Sequence, residues 1–258
     1  KRLQQLAGIL KEVESNLSDD EQVIVDDILN TLDEGVFENM IEKIKTKTLV
    51  NFLKAKDPDA KFVDKLKIVY RPYICPFDDL LMEIEPGKSV FDVGCGSGQF
   101  ALLIAEFCKP SKIKGIEISE ELIKNARELL KDYSASVQIQ FEKYKGDDIP
   151  VDIAQYDYVT MVDVGHHIPK KLQEDFFAQL YSKMRKGSTF IYKDINAASP
   201  LVLANKMHDL VFAREIGNEL SASKTRDIFK NMGFSIERTS KKTMFCYPHF
   251  TIIAKKVI

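Results

Sequence analysis

Several features that would assign the chain to a specialised class are scarce or absent. The 258 residues include no Trp and only four Cys, and no two of these Cys form a C-x-x-C pair. Cys75, Cys95, Cys108 and Cys246 are scattered, which argues against a disulfide framework and against a thiolate zinc site. No cluster of acids and His with metal-ligand spacing stands out either, so we expect no bound metal.

An excess of charge of one sign is also missing. The 37 Lys and Arg residues nearly balance the 39 Asp and Glu residues, and the formal net charge is -2 at pH 7. This balance argues against a strongly basic nucleic-acid-binding protein and against an acidic tail. With 45% hydrophobic and 29% charged residues, the composition is typical of a soluble globular protein that buries one large core.

Long apolar runs are absent as well. Runs such as residues 101–105 fall far short of the roughly 20 residues that a membrane span needs, and we expect no signal peptide. We therefore predict a cytoplasmic protein without a transmembrane segment. The sequence starts at Lys1, so a trimmed chain and a segment of a longer polypeptide both stay open as interpretations.

The first quarter of the chain divides by charge. Residues 12–42 hold eleven Asp or Glu and no Lys or Arg, whereas residues 43–67 hold eight Lys and three Asp. Both stretches have helical apolar spacing, and a capping box from Ser18 to Glu21 predicts a helix start at Asp19.

We predict that residues 1–57 form an N-terminal helical prefix that caps the site, and that residues 58–258 form the main domain. The basic stretch is interpreted as a helix face that pairs with the acidic helix beside it. Contact of this stretch with a membrane surface or with RNA stays open as the alternative.

The main domain has the pattern of alternating βα units. From residue 88 onward, short β-rich runs alternate with helical segments, which predicts a mainly parallel sheet. The predicted strands lie near residues 89–93, 112–117, 136–142, 156–162, 188–194, 234–241 and 246–255. The predicted helices lie near residues 98–108, 120–132, 170–185, 200–214 and 223–232. The last two strands leave no room for a crossover helix, so we expect an antiparallel C-terminal hairpin.

A glycine-rich turn, D-x-G-x-G-x-G, follows the first of these strands. Such a turn lets a ligand approach bare backbone. A dinucleotide-binding turn would read G-x-G-x-x-G, but Gln99 occupies the third glycine position of that spacing. Asp92, which precedes the glycines, is unfavourable beside a pyrophosphate and favourable beside the amino group or sulfonium of a cationic ligand.

These motifs resemble those of the class I S-adenosylmethionine (SAM) methyltransferases, over roughly residues 71–256. The resemblance implies a Rossmann-like α/β fold with seven strands and a turn that cradles the methionine part of SAM. It also implies that Glu117, at the end of the second strand, binds both ribose hydroxyls through charge-assisted hydrogen bonds. The turn residues that it assigns to the cofactor are Asp92, Gly94, Cys95, Gly96 and Gly98.

Further cofactor contacts follow from the same resemblance. The loop after the third strand implies an adenine contact by Asp147, with Asp148 as the alternative. Ile118 and Val162, which lie within the second and fourth motifs, are also predicted cofactor contacts. Upstream of the first strand, the resemblance implies that Arg71 pairs with the cofactor carboxylate and that Tyr73 covers the sulfonium region. Pairing of Arg71 with a surface acid stays open.

The segment after the fourth strand holds the predicted catalytic residues. It is similar to the His-His-hydrophobic segment of small-molecule methyltransferases of the quinone-biosynthesis type. If the acceptor arrives protonated, we predict a base from this segment, with His167 first, His166 second and Asp163 as a third candidate or an orienting group. In the alternative interpretation, the histidines only cap the helix entered at Pro169, and transfer depends on positioning alone.

The family usually varies its substrate pocket in the segment after the fifth strand. An amphipathic helix packed on the sheet edge is the alternative for that segment. The acceptor contacts predicted there and in the last strand are Asn196, Asn205, His208, Arg214 and His249.

The implied function is SAM-dependent methyl transfer by direct in-line displacement, with S-adenosylhomocysteine (SAH) as the product. The acceptor would be a small molecule, a lipid-like compound or a carbohydrate intermediate. Two alternatives stay open, namely a SAM-binding regulatory or partner-binding module without turnover and an RNA methyltransferase. The near-neutral charge argues against a nucleic-acid partner. The acceptor, the methylated atom and the oligomeric state do not follow from the sequence.

Overall fold

The computed structural model describes residues 45–56, 71–202 and 217–257. Contacts divide the chain into two compact units, Lys1–Lys45 and Thr46–Ile258, and the described residues from Thr46 onward all belong to the second. The predicted helix start at Asp19, most of the predicted prefix and most of the predicted helix near 200–214 lie outside the described residues.

A seven-stranded sheet forms the centre of the second unit, in the order β3-β2-β1-β4-β5-β7-β6. Strands β1 to β5 pair in parallel, whereas β7 is antiparallel to both β5 and β6. The predicted Rossmann-like fold with its antiparallel hairpin is thereby confirmed. The strands are β1 Ser89–Val93, β2 Lys112–Glu117, β3 Gln138–Lys143, β4 Tyr158–Val162, β5 Thr189–Ile195, β6 Phe234–Met244 and β7 Tyr247–Lys256.

Helices cover the sheet, and local sequence explains where several of them begin. Ser119 accepts a hydrogen bond from the backbone N–H of Leu122 at 3.4 Å, and Ser221 accepts one from Lys224 at 3.2 Å. Both serines are therefore N-caps, which satisfy backbone donors that the first turn leaves without partners. The described α-helices are α1 Thr46–Lys56, α2 Phe77–Leu81, α3 Gln99–Phe107, α4 Glu120–Leu129, α5 Gln173–Lys183 and α6 Ala222–Asn231.

Continuous apolar burial fixes the central strands. All five residues of β1 and of β4 are buried, as expected for parallel strands that are covered on both faces. Aromatic rings fill the space between β5 and the helices α5 and α6. The rings of Phe177 and Phe229 meet edge to face with centroids 5.1 Å apart, and Tyr192 contacts both. The parallel pairing of β1 to β5 places their carboxyl ends side by side at one edge of the sheet.

Helix α1, which belongs to the predicted prefix, packs on the main domain. Its apolar face is buried through Leu49, Val50 and Leu53. The hydroxyl of Thr46 donates to Asp78 at 3.1 Å, at the start of α2. None of the α1 residues lines the cavity described below, so the predicted cap concerns residues outside the described part of the chain.

No helix within the described ranges combines the length and the hydrophobicity that a membrane crossing requires.

A buried lysine at the end of β7 fastens the C-terminal end of α5. The ammonium of Lys256 donates to the carbonyls of Tyr181, Ser182 and Met184, at 2.7, 3.1 and 2.8 Å. The last carbonyls of a helix have no partner within the helix, and a cation there interacts favourably with the helix dipole. Lys256 therefore links the last strand of the sheet to a helix that covers it.

We predict that Lys256→Met lowers the free energy of unfolding by about 1.5–3 kcal/mol, because hydrogen bonds from a charged donor are lost and carbonyls are left buried. Urea denaturation monitored by circular dichroism measures the change. Lys255→Met is the matched control, since Lys255 is exposed and its loss should change stability by less than about 0.5 kcal/mol. Equal effects of the two substitutions would contradict the assigned role.

Candidate active site

A cavity of about 800 Å³ opens at the edge where β1, β2 and β4 end. Ligands of open α/β sheets bind at this edge, beyond the carboxyl ends of the strands. Most of the residues predicted from the sequence for the cofactor, and part of the predicted catalytic set, meet in its wall. They are Arg71, Asp92, Gly94, Cys95, Gly96, Glu117, Ile118, Asp147, Val162, Asp163 and His167.

The glycine turn between β1 and α3 exposes bare backbone to this cavity. Gly94, Gly96 and Gly98 all have positive φ, at 68°, 55° and 80°. A Cβ on Gly98 would lie 2.9 Å from the Cβ of Ala126, so glycine permits close packing of the turn on α4. A Cβ on Gly96 would meet nothing within 4 Å, because this part of the turn faces open space.

Glu117 holds the turn in place from the end of β2. One carboxylate oxygen accepts from the backbone N–H groups of Ile118 and Ser119 at 2.8 and 3.1 Å, and the other accepts from Gly96 at 3.1 Å. A carboxylate offers about four acceptor sites, so one stays open on the oxygen that contacts Gly96. The side chain thus fixes the turn and still presents an acceptor to the cavity.

Asp92 lies on the floor of the cavity with one protein hydrogen bond. The hydroxyl of Thr160, on the neighbouring β4, donates to it at 2.6 Å. Burial raises the pKa of Asp92 to about 7, and the charge of Glu117 adds to this shift, while Thr160 and Arg71 oppose it. A cationic ligand group beside Asp92 would favour the ionised carboxylate.

Asp163, directly after β4, is paired with two cations. Its Oδ1 lies 2.5 Å from the ammonium of Lys193, and its Oδ2 lies 3.1 Å from a guanidinium nitrogen of Arg71. Burial alone would raise the pKa of Asp163, but Lys193 and Arg71 together hold it well below the usual range. A carboxylate held in this way is a poor proton acceptor, so the arrangement favours an orienting role over a role as base.

The two neighbouring histidines occupy different environments. The Nδ1 of His166 lies 2.5 Å from Asp194, and the backbone N–H of His166 also donates to this carboxylate, at 3.0 Å. His166 is buried and does not line the cavity, whereas His167 is exposed and does. Gly165 permits the arrangement, because a Cβ there would lie 2.2 Å from the hydroxyl of Tyr192.

The structure also separates the two acids predicted for the adenine contact. Asp147 is exposed and lines the cavity. Asp148 forms an ion pair with Lys183 at 2.5 Å and is not part of the cavity wall. Gln179 fixes this loop, since its amide donates to the carbonyl of Asp147 and accepts from the N–H of Ile149, both at 2.8 Å.

Several other predicted residues do not reach the cavity wall. Gly98 packs against α4, and Tyr73 is exposed and does not line the cavity. Asn196 accepts from the N–H groups of Ala198 and Ala222, both at 3.2 Å, and therefore stabilises a chain turn.

Of the predicted acceptor contacts, His249 is buried, and its Nε2 lies 2.6 Å from the carbonyl of Ile74. Burial lowers the pKa of His249 to about 4, and the charge of Lys193 adds to this effect. His249 is therefore neutral near pH 7 and fastens the segment that precedes α2. Asn205, His208 and Arg214 lie outside the described residues.

The sequence interpretation missed a set of wall residues on α5 and just before it. Leu172, Phe176 and Gln179 recur at intervals of three to four residues, which places them on one face of a helix. This spacing is a signal that was available in the sequence. Other missed wall residues are Phe77, Phe100, Leu122, Tyr144, Ile168 and Pro169.

Among the residues that the structure describes, no three His, Cys, Asp or Glu side chains lie close enough together to hold a metal ion.

A family model described as a methyltransferase domain matches residues 67–239, which include every strand and glycine that builds the cavity. The chain belongs to this methyltransferase family. The resemblance stated from the motifs is thereby confirmed. Among the described residues, the match runs from Arg71 into β6.

Individual relatives of this methyltransferase domain are distant. The carboxy-S-adenosyl-L-methionine synthase of Campylobacter fetus is 27% identical over 128 residues, which are 48% of this chain and 53% of that protein. The sterol 24-C-methyltransferase of Saccharomyces cerevisiae is 28% identical over 160 residues, which are 59% of this chain and 40% of that protein. The chain thus spans about half or less of the length of these curated relatives.

A solved structure supports the fold of the methyltransferase domain. The magnesium protoporphyrin IX methyltransferase of Synechocystis, with bound SAH, superposes with a TM-score of 0.61 at 20% identity. The superposition covers 79% of this chain and 92% of that chain. At this identity the likeness shows the fold alone.

The raised pKa of Asp92 predicts a pH-dependent stability difference in the ligand-free methyltransferase domain. In the unfolded chain Asp92 ionises near 3.8, whereas in the folded protein it ionises near 7. Between these values the folded state retains a proton that the unfolded state has lost, so the contribution of Asp92 to stability falls as the pH rises.

We expect Asp92→Asn, which cannot ionise, to gain stability relative to the wild type as the pH rises from about 4 to about 7, and to gain no more above that. Urea unfolding of both proteins at half-unit pH steps measures the difference. Asp148→Asn, on the exposed ion pair, is the control. A difference between Asp92→Asn and the wild type that is constant with pH would contradict the assignment.

Proposed function

We propose that the chain transfers the methyl group of SAM to an apolar, lipid-like small molecule by direct in-line displacement. The observation that carries the proposal is the convergence of the glycine turn, Asp92 and Glu117 on one large cavity. Family membership supports the same reaction, while fold alone does not determine it. The substrates named for the relatives, which include a sterol, agree with a small-molecule acceptor.

The cavity fits SAM in the chemistry of its donors and acceptors. The open space in front of Gly96 lets a ligand approach backbone N–H groups. The open acceptor site on Glu117 suits one ribose hydroxyl. The second hydroxyl would replace one of the backbone N–H groups as a donor to the carboxylate. Asp92 suits a cationic group, since its carboxylate is buried with no cationic side chain within hydrogen-bonding distance. When bound, SAM supplies an electrophilic methyl group on a sulfonium.

The residues of the chain then orient the reactants and exclude water. Asp147 reaches the adenine side of the cavity, and Ile118 offers an apolar contact beside the ribose site. Arg71 lies near Asp92, at the end that would hold the amino-acid part of the cofactor. Well-oriented reactants gain up to about 7–11 kcal/mol from positioning, so a base is needed only for a protonated acceptor.

Apolar side chains favour an apolar acceptor. Leu172 is 47% exposed, and it faces the cavity together with Ile168 and Phe176. Large apolar side chains left open to a cavity gain stability from an apolar ligand that covers them. This wall argues against the carbohydrate alternative and for the lipid-like one.

We further propose that residues 1–57 form a cap over the acceptor through positions other than α1, that the protein is cytoplasmic and that it contacts a membrane surface transiently. An apolar acceptor that partitions into lipid gives the last of these a chemical reason.

The proposal is tested by incubating the full chain with SAM labelled on the methyl group and a panel of sterols, isoprenoids and long-chain phenols. Label should pass into the organic extract with at least one acceptor class. Binding of SAM without extractable label from any class would favour a binding module. A parallel incubation contains RNA instead of these acceptors. Methyl label found only in the RNA would favour the RNA methyltransferase.

We predict that Glu117→Ala weakens SAH binding by well over tenfold, because two charge-assisted hydrogen bonds of about 1.5–3 kcal/mol each are lost. Glu117→Gln should lose less, since it keeps one carbonyl acceptor. Isothermal titration calorimetry measures both affinities. Glu142→Ala, on the neighbouring β3, is the control. Unchanged affinity in folded Glu117→Ala would show that the ribose lies elsewhere.

We predict that His167 and not His166 supplies the base, if the acceptor needs one. His167→Ala should lower turnover by about 10²–10⁴-fold on the acceptor found in the extraction assay, with SAM affinity preserved. His166→Ala should instead lower thermal stability, because it leaves the buried Asp194 without its histidine. A loss of less than a fewfold for His167→Ala would assign catalysis to positioning alone.

A further inference from the structure

Asp163 is held rigidly at the junction of β4 and the loop that follows it. Its φ of 57° is left-handed, which is uncommon for a residue other than glycine. Its backbone N–H donates to the carbonyl of Lys193 at 2.9 Å. The backbone of the neighbouring strand β5 therefore fixes the position from which the carboxylate reaches its two cations.

The two cations differ in their access to the cavity. Lys193 has no exposed side-chain surface, and its ammonium lies 2.5 Å from Asp163. The Arg71 side chain is 38% exposed, lies at the longer distance of 3.1 Å and lines the cavity. The guanidinium also lies 5.5 Å from the ring centre of Phe77, another wall residue. Arg71 is therefore the partner that a ligand can reach.

The surroundings leave Asp163 dependent on these two cations. Asp194, the nearby buried carboxylate, is hydrogen bonded to His166 and Tyr192. The thiol of Cys75 lies 3.8 Å from Asp163 and is neutral, because burial raises its pKa to about 12. A buried carboxylate that loses its only cation is strongly disfavoured. With Lys193 in place, Asp163 stays compensated when Arg71 leaves.

We propose that Lys193 is a positioning residue that keeps Asp163 paired, so that Arg71 exchanges Asp163 for the carboxylate of the bound cofactor. This inference rests on the proposed function and adds an exchange of ion partners to it. In the ligand-free protein Asp163 holds the guanidinium of Arg71 at the cavity wall. In the complex the guanidinium turns to the ligand, and the Lys193 to Asp163 pair remains. Guanidinium groups suit such an exchange, because they bind carboxylates through a planar fork.

Two ligands separate the carboxylate from the rest of the cofactor. SAH carries the amino-acid part, and 5′-methylthioadenosine lacks it while keeping the adenine, the ribose and the sulfur. Calorimetry on the full chain should show that Arg71→Gln and Lys193→Met each weaken SAH by about tenfold to a hundredfold. Neither substitution should change the affinity for 5′-methylthioadenosine, because that ligand has no carboxylate.

Combined variants distinguish exchange from a merely structural role. In Lys193→Met, Asp163 retains Arg71 as its only cation, so adding Asp163→Asn should release Arg71 and restore SAH affinity. Adding Arg71→Gln to the Lys193→Met, Asp163→Asn protein should remove the regained SAH affinity, since Arg71 supplies the contact with the ligand carboxylate. If Lys193→Met weakened the binding of SAH and 5′-methylthioadenosine alike, the inference would be overturned. It would also be overturned if Asp163→Asn did not restore SAH affinity in the Lys193→Met protein.

Circular dichroism shows whether Lys193→Met folds. If it does not, the single variant Asp163→Asn tests the inference. Exchange predicts that this variant binds SAH at least as tightly as the wild type, because the competing carboxylate is gone. Weaker SAH binding by folded Asp163→Asn would overturn exchange. Failure of the wild type to bind either ligand would overturn the proposed function itself. Normal binding of 5′-methylthioadenosine with no effect of Arg71→Gln on SAH would overturn the exchange alone.

Discussion

Buried carboxylates must find partners, and this requirement organises the whole ligand edge of the sheet. Asp92 lies in β1, Glu117 ends β2, Asp163 follows β4, and Asp194 lies in β5. Their partners are, in the same order, a hydroxyl of the adjacent strand, three backbone N–H groups of which one belongs to the glycine turn, two cations and a histidine. Each carboxylate thus joins its own strand to a neighbouring strand or loop, and the cavity walls hold their shape through these pairs.

Local patterns in the sequence were sufficient to predict the sheet, the glycine turn and the placement of Glu117. Alternating strands and helices, and the spacing from the turn to Glu117, depend on short stretches of chain whose periodicity can be read directly. Each observed strand overlaps its predicted range, and β6 extends further, to Met244. The extension follows from a tight turn at Phe245 and Cys246, which lets the hairpin pair along its full length.

Contacts between distant parts of the sequence account for what could not be predicted. The partners of Asp163 stand 92 and 30 residues away, and no local period links such positions. Neither does a local pattern distinguish His166, which turns inward to Asp194, from His167, which faces the cavity. His249 and Asn196 are residue types that often contact ligands, yet in this fold their side chains form hydrogen bonds with backbone groups. A polar residue near a strand end therefore identifies the right edge without revealing which way it points.

The position of β7 has a consequence for biosynthesis. This strand is the last of the seven along the chain, yet it lies between β5 and β6. While the ribosome is still making β7, strand β5 has one side without a hydrogen-bonding neighbour, and β6 has no strand to join. Unpaired strand edges are templates for association with other chains. The β5 edge therefore stays open to pairing with other chains until β7 has been synthesised and occupies it.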